Sequence, residues 1–140
     1  MDTIQKEKLY DHPIDKVWKA ISNADEISSW FIKADFKPEI GYHYTFTSSE
    51  ANCTQISGVV KEAHPYRLVY TWVVQHTNVE TLVTWHLEEV DGKTRLLLEH
   101  SGISGYEGET VVAMFNSFKG GWDNCVSSLE NYLNKILSEV

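Results

Sequence analysis

The sequence predicts an α+β fold: a curved antiparallel β-sheet of about six strands around a long C-terminal α-helix, with two short helices after the first strand. Three observations lead there. Between residues 42 and 101, short stretches of alternating apolar and polar residues follow one another, separated by turn signals. From Val111 to Ile136, apolar residues recur at spacings of three and four, the signature of one long amphipathic helix. A meander with one apolar face needs a cover, and only that helix, roughly 40 Å long at 1.5 Å per residue, can span it.

Taken in order, residues 3–10 alternate weakly and read as the first strand. His12-Pro13 ends it, and Pro13 suits the first turn of a helix carrying Ile14, Val17, Trp18 and Ile21 on one face. Asn23 is a good N-cap for a second helix over 24–30, with Asp25 and Glu26 at its positive end and Ile27, Trp30 and Phe31 turned inward. Tyr42, Tyr44 and Phe46 alternate with His43, Thr45 and Thr47. Strands are expected at 54–62, 67–74, 79–89 and 93–101, with His64-Pro65-Tyr66 a turn and Asp91-Gly92 a hairpin. In the third of these, Val79, Thr81, Val83, Trp85 and Leu87 share one face, and Glu80, Thr84, His86 and Glu88 the other. Gly102 to Gly108 reads as a flexible connector, and Thr110 as the cap of the long helix.

The bulk numbers fit one domain spanning 1–140, enough chain to fold without a metal or disulfide staple. The net charge of −8, with ten lysines, two arginines (Arg67 and Arg95) and no basic run, argues against nucleic acid as a partner. Cys53 and Cys125 are expected as buried free thiols of a reducing cytosol. The charged N-terminus has no signal-peptide core, and no apolar stretch approaches the ~20 residues of a membrane span. A cytoplasmic protein, monomer or weak homodimer, is expected.

Catalytic motifs are missing. His12, His43, His64, His76, His86 and His100 show no spacing that makes a metal site, and no cofactor is expected. Ser22, Ser28, Ser29, Ser48 and Ser49 stand in no nucleophile elbow. Gly102, Gly105 and Gly108 lack the Lys-Ser/Thr of a phosphate loop, and Glu107 and Glu109 would repel phosphate. Alternation places Glu88 and Glu99 on the outer face and His100 inside, either as a satisfied core histidine or as a group that orients a ligand's oxygen. Gly120-Gly121 is costly inside a helix, and implies a kink, close packing or a cavity widened beside Phe118 and Trp122.

The run His12-Pro13-Ile14-Asp15-Lys16-Val17-Trp18-Lys19-Ala20-Ile21, followed by Trp30-Phe31, resembles the N-terminal signature of the activator of heat-shock-protein-90 ATPase homologue family, within the START-like (SRPBCC) superfamily. Further pieces fall in the expected order: Gly58-Val59-Val60, Pro65 to Trp72, Thr94-Arg95-Leu96, His100-Ser101-Gly102, Gly121-Trp122, Leu129 and Tyr132-Leu133. Together they cover about residues 9–134. The resemblance implies a helix-grip fold with a cavity between helix and sheet. Eukaryotic chaperone activators of this kind carry a separate chaperone-binding domain for which 140 residues leave no room, so direct ATPase activation is not expected.

The aromatic residues Trp30, Tyr44, Phe46, Tyr70, Trp72, Trp85, Phe115, Phe118 and Trp122, with His100, form the candidate ligand site. They read either as a filled core or as the lining of an apolar pocket with a few polar groups. The leading expectation is non-catalytic binding of an apolar or amphipathic small molecule, lipid or polyphenol-like, its polar tip held by His100 or a tyrosine. The alternatives are a stress-linked module whose partner is a chaperone, and a START-like cyclase or hydrolase with an inward acid or base beside His100.

Overall fold

The computed structural model describes residues 3–47, 55–75, 77, 79–106, 108 and 110–138, the side chains of Val111 and residues 136–138 excepted. Ser48, Ser49, Cys53, His76, Glu107, Glu109 and the side chains of Val111 and Ile136 thus lie outside the described residues. Strand β1 (Ile4–Tyr10) is followed by helices α1 (Ile14–Ser22) and α2 (Ala24–Trp30) and by a short strand β2 (Lys33–Asp35). A meander follows: β3 (His43–Thr47), β4 (Gln55–His64), β5 (Arg67–Val74), β6 (Thr81–Val90) and β7 (Lys93–Ser101). A 3-10 turn (Ile103–Gly105) leads into helix α3 (Thr110–Ser138).

Local chemistry explains these limits. Asn23 Oδ1 accepts from the Glu26 N–H at 3.2 Å, capping α2 where Asp25 and Glu26 meet the positive end of the helix. Asp91 and Gly92 both take positive φ, 52° and 80°, as the tight β6–β7 hairpin requires. Thr110, expected as the cap, is the first helical residue of α3, and the residue before it lies outside the described residues. The glycine-rich connector is less free than its composition suggests. Ile103 and Tyr106, both buried, pin it to the core.

The strands form one antiparallel sheet ordered β1-β7-β6-β5-β4-β3-β2. Among the described residues it has seven strands where about six were expected; the added one is β2, three residues long, and alternation over so short a run leaves no periodic signal. The β6–β7 ladder is unbroken from Leu82↔Ser101 to Val90↔Lys93. Between β4 and β5 the register slips at Val60/Glu62, a bulge that bends the sheet. Beside it, a Cβ on Gly58 would lie 2.1 Å from the Thr71 carbonyl oxygen, so only glycine allows the backbones to approach there.

The inner face of the sheet carries Tyr44, Phe46, Leu68, Tyr70, Trp72, Val83, Trp85, Leu87, Leu96 and Leu98, all buried. Helix α3 covers it unevenly. From Trp122 onward it buries Trp122, Cys125, Val126, Leu129 and Leu133; before Trp122 its best-packed side chains, Met114, Phe115 and Phe118, are half-buried, and Val112 is exposed. Polar ties follow the same division. Tyr10 donates to the Val126 carbonyl at 3.0 Å, His12 Nε2 meets Asn134 Oδ1 at 2.8 Å, and Tyr132 donates to Glu26 at 3.0 Å. Lys6 and Lys8 turn inward from β1 to pair with Asp123 and Glu130. Among the described residues, no helix is long and apolar enough to cross a membrane.

Candidate functional site: an apolar cleft beside Gly121

His100 shows how the sheet and α3 are locked. The Trp122 indole can only donate, and its Nε1–H points to His100 Nδ1 at 2.9 Å. The proton of the imidazole therefore sits on Nε2, which donates to Thr81 Oγ1 at 2.7 Å. The Thr81 hydroxyl in turn donates to the Trp72 carbonyl at 3.1 Å. One directed chain of bonds thus joins α3, β7, β6 and β5. Burial pushes the His100 pKa down to about 4 and holds the ring neutral.

Around this chain the aromatic side chains form a continuous packed layer. Trp72 lies 5.2 Å from Trp122, 5.6 Å from His100 and 6.1 Å from Phe46, centroid to centroid. Tyr44 packs on Phe46 at 4.7 Å and on Tyr70 at 5.0 Å, and its hydroxyl donates to the Thr71 carbonyl. Trp85 donates to the Tyr70 hydroxyl at 2.9 Å. Phe36, in the loop after β2, stacks on Phe46 at 6.0 Å and closes the far end. Burial raises the pKa of Tyr44, Tyr70 and the Cys125 thiol, which keeps all three neutral.

The layer stops at a cleft of about 150 Å³ between the α2–β2 corner, the sheet and the poorly covered half of α3. Its walls are Phe31 and Ile32, Ile56 of β4, Trp72 of β5, and Ser117, Phe118, Gly121 and Trp122 of α3. Of the ten residues expected to form a site, Trp72, Phe118 and Trp122 line this cleft. Tyr44, Phe46, Tyr70 and Trp85 lie in the packed layer, and His100 lies behind Trp72 and Trp122. Trp30 stands outside it, stacked on Phe31 at 5.4 Å with its indole N–H on the Ala20 carbonyl. Phe115 packs half-buried against the core and is not part of the lining.

Ile32 and Ile56 were not among the expected residues. The apolar run Trp30-Phe31-Ile32 is the one sequence sign of the first, since three consecutive residues cannot share a helix face. Neither glycine of α3 is there for close packing: a Cβ on Gly120 or Gly121 would meet nothing within 4 Å. Within the wall, Trp72 carries a buried Nε1–H that no acceptor in the described protein meets. The expected polar anchors are otherwise engaged, both nitrogens of His100 inside the protein and the Tyr44 hydroxyl on the backbone.

A larger groove, about 530 Å³, runs over the outer face of the sheet past Gln5, Glu7, Arg67, Thr84, His86 and Glu99. Several of its polar groups are engaged, Arg67 with Glu62 at 2.8 Å, Glu7 with Arg95 at 2.8 Å and Gln5 with Glu99 at 3.1 Å, while the buried His86 Nδ1 meets no partner in the described protein. It is wide and lined mainly by polar and charged side chains, whereas the smaller cleft is walled almost wholly by apolar ones. Among the described residues no three His, Cys, Asp or Glu side chains gather as metal ligands.

A curved antiparallel sheet gripping one long helix, with an apolar cleft between them, is the helix-grip architecture of START-like proteins. Within that class the chain belongs to the family described as Activator of Hsp90 ATPase homolog 1-like protein, whose model matches residues 11–134. No curated protein matches the chain. Among solved structures it is similar to protein MLL2253 of Mesorhizobium loti, at 27% identity and TM-score 0.84, covering 95% of this chain and 97% of that one. It is also similar to BH1534 of Bacillus halodurans, at 26% identity and TM-score 0.75, covering 95% and 99%. PFC0360w, an HSP90 activator from Plasmodium falciparum, shares the fold at 19% identity and TM-score 0.78, covering 96% and 97%.

Proposed function

We propose that this protein is a non-catalytic binder of a small apolar or amphipathic molecule, held in the cleft between the sheet and α3. The observation that carries the proposal is the lining: six of its eight residues are Phe, Ile or Trp, and none is charged. Water gains little there. A ring that buries roughly 200 Å² of apolar surface gains about 5 kcal/mol before the cost of association. The orphan indole N–H of Trp72 suits an acceptor at the polar end of the ligand, the role expected of His100. The non-catalytic reading rests on His100, whose two nitrogens both bond within the protein, leaving it no lone pair for a substrate proton.

The test is titration of the purified protein with fatty acids, flavonoids and one-ring aromatics, followed by the indole N–H resonances of Trp72 and Trp122. Saturable shifts at these two are expected. If every panel leaves both unmoved, there is no ligand site here. A chaperone-linked role is the second reading, favoured by the family and by the likeness to an HSP90 activator. It predicts that a purified chaperone of that class is retained by this protein in a pull-down.

A further inference from the structure

We infer that Gly121 sets the size of the ligand, and that the enclosed part of that ligand is an uncharged group no larger than a single substituted ring. This rests on the binding proposed above and adds the class of molecule and the residue that selects it.

The two glycines of α3 cannot be explained alike. Successive helical residues differ by 100° around the axis, so Gly120 and Gly121 face different surroundings. Gly121 falls between Phe118 and Cys125 on one i, i+3, i+4 ridge, and lines the cleft. Gly120 is not part of the lining. Both could carry a side chain, since a Cβ at either position would meet no atom within 4 Å. No tight approach and no positive φ requires glycine at 121. A helix interior disfavours glycine by about 1 kcal/mol against alanine. What glycine at 121 leaves open is cleft space.

Size and charge follow from that space. A closed apolar cavity of about 150 Å³ accommodates benzene, whereas drug-sized sites run from about 300 Å³ upward. The cleft holds about 150 Å³, so a fused polycycle or a whole flavonoid would leave most of its body outside. The walls offer no charge to a bound ion, and an unpaired ion in such a place is strongly disfavoured.

The experiment uses toluene, naphthalene and benzoate as probes on the full chain, read by the same two indole resonances. Wild-type protein is expected to bind toluene, to bind naphthalene more weakly and to ignore benzoate. Gly121→Ala should weaken toluene about tenfold through crowding. Gly121→Leu should abolish binding of both neutral probes, and Gly120→Leu should bind like the wild type. All three variants exchange glycine for a better helix former, so their melting temperatures should equal or exceed the wild type, and lost binding cannot be blamed on lost fold. Unchanged toluene affinity in Gly121→Leu, naphthalene preferred over toluene, or saturable benzoate binding each overturns this inference and leaves the binding proposal standing. Wild-type protein that responds to none of these probes, nor to lipids and flavonoids, overturns both.

Discussion

Protonating His100 would give its ring two N–H donors, one aimed at the Trp122 N–H, with no acceptor there to take it. Thr81, Trp122, Trp72 and Phe118 surround it, and none carries charge. Its pKa is about 4 in the folded protein and 6.5 in the unfolded chain, so below 6.5 the unfolded chain holds the extra proton. Stability should therefore be insensitive to this group above pH 6.5, decline as pH falls, and have lost about 3 kcal/mol by pH 4. Urea unfolding at pH 7 and pH 4.5 checks this: wild-type protein should lose more stability between the two than His100→Gln. Equal losses would show that the buried imidazole is not the acid-sensitive group. The inward position of His100 was legible from the alternation of Leu96, Leu98 and His100. Its partners were not, since Thr81 and Trp122 meet it only once β6 and α3 are in place.

At the scale of elements, α3 is two helices in one. The part from Trp122 onward is held by buried side chains and by bonds from Tyr10, His12 and Tyr132. The part before it has no fully buried side chain among the described residues. Hydrogen exchange is expected to follow this division, with amides of residues 114–118 exchanging faster than those of residues 125–133. Equal protection along the helix would contradict it. Gly120→Ala should slow exchange in the first part and raise global stability by up to about 1 kcal/mol, as urea titration would show. The apolar periodicity of α3 revealed its length and its inward face, yet it runs unbroken through both halves. Differential coverage depends on where the sheet ends beneath the helix, which no local pattern encodes. The cleft shares that dependence: Ile32 and Ile56 reach it from separate parts of the chain, and apart from the apolar run Trp30-Phe31-Ile32 nothing in the sequence marks their convergence.

On the scale of the whole molecule, the described strands form one sheet, and α3 is tied to the first of them. Unfolding in urea should be one transition, with tryptophan fluorescence and far-ultraviolet circular dichroism tracing the same curve. Two separated transitions would mean that 1–140 is not one cooperative unit. The architecture was readable because strand alternation, hairpin chemistry and a single covering helix all point to one arrangement. The count of strands was not, because β2 is too short to announce itself. The two outermost strands have a further consequence. One flank of the sheet ends in three residues, and the other in a strand whose inward lysines are already matched to acids on α3. The first margin is too short, and the inward-pointing charges of the second oppose a stray peptide that would continue the sheet. Stacking of one copy onto another through its margins is therefore discouraged by the same lysines that fasten the helix.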